Sequence, residues 1–314
     1  MATAMALTKL ALHRLTLVAA VVIGGAVWAM AWPWLTPPGA ASGGGSLVWA
    51  QGGLPAALAV TVLLGLPAVL LAAVCAAMMR WTTGVLALAV ALGFLAVASG
   101  SLDPLIWTRT QQATADAGAT THALRSMYLG LAGESLLWCA IVLGAAAAMH
   151  ALAGRLRRVL PVSWTEPELQ EDQQPWAFAL PRNINDWQAA GVTLVVGTIV
   201  TWLLLRGVAP GQVIGAMLLG FGAGAALAQA FMPCRNIAVL LATPMLATAA
   251  SAAYVAMTSN SDTAMLQAWY AQAVWSPATA LPVYAASAGV AGVIFGSNLG
   301  WSFSHSENDA AKDE

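Results

Sequence analysis

Charge is what this sequence has least of: Asp, Glu, Lys and Arg make up 8% of its 314 residues, against 60% hydrophobic residues. Such a chain cannot hide its apolar surface in one water-washed core, so a lipid bilayer has to be its main solvent and first partner. The 12 Lys and Arg residues and 13 Asp and Glu residues leave a formal net charge of −1. No nucleic acid is expected as a partner, because phosphates require clustered positive charge. Cysteine is scarce too. Cys75, Cys139 and Cys234 are odd in number, lack CxxC spacing and fall in or beside apolar runs; they read as small buried residues, not as a disulfide framework or a zinc site. The 4 His residues are scattered, and HExxH, a Walker A sequence and clustered membrane carboxylates are all missing. Enzymatic chemistry has no nucleus here, and no metal ion or cofactor is expected.

What the chain does have is long apolar runs. Eight are read as membrane-spanning helices, at about residues 15–32, 54–79, 82–99, 126–152, 187–205, 213–231, 237–257 and 281–299. Each approaches the roughly 20 residues that about 30 Å of hydrocarbon requires at a rise of 1.5 Å per residue. Before the first run come Lys9, His13 and Arg14, and after it Trp32, Pro33, Trp34, Pro37 and Pro38 stand ahead of the first small pair, Ala40 and Ala41. That order fits a retained signal anchor better than a cleaved leader. Gly39 to Gly53, uncharged and containing Gly43, Gly44 and Gly45, reads as a flexible outer loop. The stretches Ser101 to Arg125 and Ser259 to Pro277 read as polar outer loops. The eighth run is weakly hydrophobic, rich in Ala, Gly and Ser, and belongs between other helices rather than against lipid.

The fold expected is all-α: a polytopic membrane protein with a first four-helix half (residues 1–154), a polar cytoplasmic linker (155–187), a second four-helix half (188–301) and a polar C-terminal tail (302–314). The linker carries the acidic run Glu166 to Asp172 and ends in Arg182, Asn183, Ile184, Asn185, Asp186 and Trp187. There Asn183 or Asn185 would cap the fifth helix and Asp186 would suit its positive end. Eight spans place Lys9, Arg14, Arg80, Arg155, Arg157, Arg158, Arg182, Arg235 and Lys312 on one side and Arg109, Arg125 and Arg206 on the other. The positive-inside bias then puts both termini in the cytoplasm, in what reads as a bacterial inner membrane. Trp28, Trp32, Trp34, Trp107, Trp202, Trp275, Tyr128, Tyr254, Tyr270 and Tyr284 would form an aromatic belt at the outer interface.

The halves resemble each other. Leu63, Leu64, Gly65, Ala68, Ala73 and Arg80 recur 155 positions later as Leu218, Leu219, Gly220, Ala223, Ala228 and Arg235. Tyr128, Ala132 and Gly133 recur after 156 positions as Tyr284, Ala288 and Gly289. An even number of spans per unit would relate the two by an axis along the membrane normal. In this match Pro67 pairs with Gly222, so each second helix carries a helix-break position, to be read either as a packing kink or as an opening of backbone toward a cavity. Gly220 and Gly224 form GxxxG, and Ala288, Gly292, Gly296 and Gly300 form a small-residue stripe, both suited to close helix packing.

Glu134, among Leu129, Leu131, Leu136, Leu137 and Trp138, is the most suggestive intramembrane residue, since a charge at the bilayer centre costs about 2.5 to 3.5 kcal/mol on insertion scales. It reads either as a proton or cation site or as an interface carboxylate paired with Arg109 or Arg125. Gln229 is the second candidate, as an interhelical hydrogen bond or a substrate contact, and His150 reads as a solvated helix-end histidine. Two functions stay open. One is a small-solute transporter or permease, from the repeat, the paired breakers and Glu134; the other is a non-catalytic structural or assembly subunit, bound to further copies or to other membrane subunits, from its small-residue stripes and the absence of paired membrane charges. Reporters fused after Leu160 and after Glu314 should both report cytoplasm. An external C-terminal reporter would remove the eighth span or reverse the topology.

Overall fold

The computed structural model describes residues 2–40, 43–115, 122–161, 164–165, 183–232, 234, 236–259 and 261–310. Arg182, Arg235 and the acidic run 166–172 lie outside them. The chain is all-α, with the helices α1 (Ala2–Ala29), α2 (Trp32–Leu35), α3 (Gly53–Met78), α4 (Trp81–Ser99), α5 (Asp103–Ala115), α6 (Ala123–Val159), α7 (Ile184–Leu204), α8 (Pro210–Phe231), α9 (Ile237–Thr258), α10 (Asp262–Tyr270), α11 (Pro282–Tyr284) and α12 (Val290–Ala310). A π turn, Ala285–Gly289, joins α11 to α12 into one run. Eight helices are long and apolar enough to cross a membrane, namely α1, α3, α4, α6, α7, α8, α9 and the joined run Pro282–Phe303. This is the architecture of a polytopic membrane protein.

Local chemistry sets the ends. Pro210 opens α8, where its missing N–H would have had no partner in any case. Asn236 caps α9 by accepting from the Ala238 amide at 3.2 Å, and Ser261 caps α10 by accepting from the Ala264 amide at 3.2 Å. Asn183 holds the N-cap position of α7 without a side-chain capping bond, and Asp186 sits in the first turn. The linker face is tied at two further points: the His13 ring meets the Trp164 carbonyl at 3.0 Å, and Arg157 donates to the Ala76 carbonyl at 2.7 Å, a favourable place for a cation near the C-terminus of α3.

On the opposite, far face the two expected polar loops prove to contain helices. Their composition is polar because only a narrow side is covered: in α5, Leu105 and Ile106 are buried while Trp107 is exposed. The loop after α2 also departs from expectation. Gly43, Gly44, Gly45, Ser46 and Leu47 are buried, and the amides of Gly44, Gly45 and Ser46 donate to the carbonyls of Ser101, Ser99 and Leu35. It is a fixed insert, not a flexible loop. Gly43 and Gly44 take φ of 83° and 67°, and a Cβ on Gly44 would stand 2.9 Å from the Leu105 amide, so only glycine lets the chain turn inward there.

In the first half α1 packs on α3 and α4, and α3 packs on α6; in the second, α7 packs on α8 and α9, and α8 packs on α12. Between halves α6 lies along α9, and α4 lies along the run from α11 to α12. The last of the eight is the most enclosed, with 83% of its apolar window buried against 22% for α1, as its weak hydrophobicity requires. The aromatic belt is only partly as expected. Trp34, Trp107, Trp202, Tyr254 and Tyr270 are exposed, but Trp28, Tyr128 and Tyr284 are buried. Trp28 turns inward because its indole N–H donates to the Thr61 carbonyl at 3.1 Å.

Glycine brings α8 into contact with its neighbours on two sides. Toward α7, a Cβ on Gly220 or Gly224 would meet the carbonyls of Gly197 or Thr193 at 2.9 and 2.8 Å. Toward α12, a Cβ on Gly292, Gly296 or Gly300 would overlap the carbonyl oxygens of Leu218, Gly222 and Ala226. Ala288 is buried in the π turn ahead of this stripe. Both α3 at Pro67 and α8 at Gly222 run on as unbroken helices, and a Cβ on Gly222 would stand in ordinary contact with α12, 3.4 Å from the Gly292 carbonyl. Gly296→Val should therefore abolish the folded, monodisperse protein in detergent, whereas Gly215→Ala, where nothing stands within 4 Å, should match the parent in size-exclusion profile and unfolding temperature.

Candidate functional site

Glu134 lies in the fourth turn of α6, about 16 Å from the helix start at 1.5 Å per residue, and is 1% exposed. Its partners all belong to the first half. Ser46 donates its hydroxyl to Oε2, the Val48 amide approaches the same oxygen at 3.5 Å, and the Trp138 indole N–H donates to Oε1 at 3.2 Å. Ser46 in turn accepts from the Trp49 amide at 3.3 Å. Neither Arg109 nor Arg125 pairs with the carboxylate among the described residues. Arg109 instead lays its guanidinium over the Trp49 ring, 4.1 Å from the centroid, and partial burial lowers its pKa. That indole also packs on Gly130, where a Cβ would stand 2.9 Å from the ring. A small recess of about 170 Å³ between Pro37, Val48, Trp49, Thr108 and Arg109 opens above this cluster.

Gln229 sits at the linker face. Its amide nitrogen donates to the Cys234 carbonyl at 3.1 Å, and its amide oxygen accepts from the Cys234 amide at 3.2 Å. Both ends of the side chain thus hold the turn between α8 and α9. The Cys234 thiol donates to Asp186 at 3.2 Å, and burial, reinforced by that carboxylate, pushes the thiol pKa up to about 12. His150 is exposed, with its ring edge-on to Trp81. Glu134 and Gln229 therefore hold two separate local structures. Pro67 and Gly222, and the packing residues Gly220, Gly224, Ala288, Gly292 and Gly296, lie in the helix contacts described above.

A further recess is one that sequence reasoning missed. On the far face, where the halves meet, a cavity of about 390 Å³ is lined by residues that include Asp103, Trp202, Arg206, Trp269, Tyr270 and Gln272. Hydrogen bonds cross between the halves on this face. The Trp269 indole donates to Asp103 at 3.2 Å, the Tyr284 hydroxyl donates to the Gly100 carbonyl at 2.7 Å, and the Leu124 amide donates to Asp262 at 3.2 Å. The rest of the wall comes from the second half, where Trp202 and Trp275 stack at 5.5 Å between centroids. In the sequence these residues were dispersed among a supposed aromatic belt and outer loops. The available sign was the concentration of Trp, Tyr and single charges in loops of one face, but no spacing rule connects Asp103 to Trp269.

Removing the Glu134 carboxylate would strand the Ser46 hydroxyl, the Trp138 indole and the Val48 amide, and a buried donor without a partner costs about 1–3 kcal/mol. Glu134→Ala is expected to lower stability by about 3 kcal/mol or more, and Glu134→Gln, which keeps one acceptor oxygen, by markedly less. Thermal unfolding in detergent reads the difference. An Ala variant as stable as the parent would mean the loop holds its place without the carboxylate.

No protein-family model matches this chain, and no curated protein or solved structure is significantly similar to it.

Proposed function

We propose that the chain is a small-solute permease of a bacterial inner membrane, with both termini in the cytoplasm and the far face outside. The observation that carries the reading is the far-face cavity, which lies at the seam of the two halves and combines single charges with aromatic walls. Concave sites with a few polar groups among aromatic side chains are the usual form of small-molecule pockets.

In this reading residues 1–154 and 188–301 are duplicated units in the same orientation, and the solute site forms between them. Several features support the duplication. The pairings of α1 with α3 and α4, and of α3 with α6, correspond to those of α7 with α8 and α9, and of α8 with α12. The contacts between halves exchange in the same way, α6 on α9 answering α4 on α12. A short helix precedes the fourth span of each unit, α5 in one and α10 in the other, and Tyr128 and Tyr284 are both buried. Glu134 enters this reading as the acceptor that fixes the inserted loop, and Gln229 as the clasp of the α8–α9 turn. The alternative, an assembly subunit, draws on the small-residue stripes and on the absence of paired membrane charges. Gly220 and Gly224 already face α7, and Gly292, Gly296 and Gly300 already face α8, so these stripes give that alternative no support.

The test is flux. Proteoliposomes are offered a panel of radiolabelled amino acids, betaines, sugars, nucleosides and carboxylates. At least one chemical class should enter faster than into protein-free vesicles, and Trp269→Ala should slow it. Flux no faster than in empty vesicles for every class would overturn the proposal.

A further inference from the structure

The charges in the far-face cavity narrow the kind of ligand. Asp103 and Arg206 line the same space, yet they form no ion pair with each other. Asp103 accepts the Trp269 indole N–H through Oδ1 at 3.2 Å and the Ser101 hydroxyl through Oδ2 at 3.3 Å. These two bonds orient the carboxylate and leave each oxygen a further lone pair. Arg206 presents a planar guanidinium suited to a carboxylate or phosphate. Trp202, Trp269 and Tyr270 line the same space, and aromatic rings attract an ammonium.

Gln272 adds an independent observation. It is the one non-glycine residue with positive φ among the described residues, at 53°. It stands just past α10, where the Gln272 amide donates to the Trp269 carbonyl at 2.9 Å and the Ala273 amide to the Ala268 carbonyl at 2.8 Å. That is a helix-terminating turn in which glycine is the favoured residue. A left-handed non-glycine residue is locally unfavourable and concentrates at functional positions. Gln272 is itself one of the residues that line the cavity.

We infer that this cavity binds a small zwitterion, with the ligand's cationic group at Asp103 and the aromatic rings, and its anionic group at Arg206. A volume of about 390 Å³ lies within the ordinary range for a small-molecule pocket, roughly 300–1,000 Å³. The same charges occur on a free amino acid or betaine and on an ethanolamine phospholipid headgroup. The inference rests on the reading of this cavity as the solute site, but binding and flux are measured separately.

The experiment uses the full chain. In detergent, glycine betaine and L-alanine are titrated by calorimetry and by thermal shift, with acetate and tetramethylammonium as single-charge controls. In parallel, unfolding is compared in nanodiscs with and without phosphatidylethanolamine, at equal phosphatidylglycerol content. A zwitterion should bind while the single-charge controls do not; Arg206→Gln should weaken binding at least tenfold with unfolding temperature unchanged, and Asp103→Asn, whose amide oxygen can still accept the Trp269 indole N–H, should weaken it as much in a protein that stays folded. Gln272→Gly should raise the unfolding temperature and still weaken binding, separating the wall's chemistry from its folding. A response to the free zwitterions supports a soluble ligand, and a response to phosphatidylethanolamine alone, lost in the same variants, supports a headgroup. Equal responses to acetate or tetramethylammonium, or no response in either arm, would overturn the inference. Zwitterion binding without flux would overturn the permease reading instead, and flux of another class without zwitterion binding would overturn only this one.

Discussion

A backbone amide removed from water must find another acceptor, and that constraint governs how the first half is built. The chain after α2 turns into the bundle rather than across its surface, which takes the amides of Gly44, Gly45, Ser46 and Val48 out of solvent together. Three are met by carbonyls of Ser101, Ser99 and Leu35. The fourth, together with the Ser46 hydroxyl and the Trp138 indole, is met by Glu134. Seen from the loop, the carboxylate is the acceptor that lets an irregular segment remain among apolar helices. The unusual acid and the unusual loop are then one feature.

The second half meets the same constraint differently. There the Gln229 side chain meets the Cys234 amide and carbonyl in the α8–α9 turn, and glycine shortens the distance between the helices. Gly220 and Gly224 turn one side of α8 to α7, while Gly292, Gly296 and Gly300 bring α12 against the other side. Without a hydrophobic driving force between helices in lipid, close contact over a small-residue surface is what holds such an assembly. That explains how the least hydrophobic of the eight runs can be the most buried.

Much of the fold was legible because hydropathy and length are local properties. All eight runs appear where apolar composition placed them, and GxxxG spacing marked two real contact faces. The misses share a cause, which is that they depend on residues far apart in the chain. The helices α5 and α10 have mostly polar surfaces, so their composition resembles that of loops. Gly43 to Gly45 carry the composition of a flexible connector, and only their hydrogen bonds to residues 99 and 101 fix them. Tyr128 and Tyr284 looked like interface aromatics because nothing local states which way a ring turns. For Glu134, burial could be argued from sequence, but its partner Ser46 lies 88 positions away. The cavity joins Asp103 to residues beyond position 200, which no local pattern connects.

The Trp269–Asp103 bond has a mechanical consequence. One of its ends belongs to the first half and the other to the second, and both residues also form the cavity wall, while Arg206 is carried by the second half alone. A rotation that draws Asp103 away from Trp269 would break that bond and shift the first half's charge relative to Arg206. The span between Asp103 and Arg206 works as a gauge of how the halves stand, and whatever bridges the two charges also clamps the halves together.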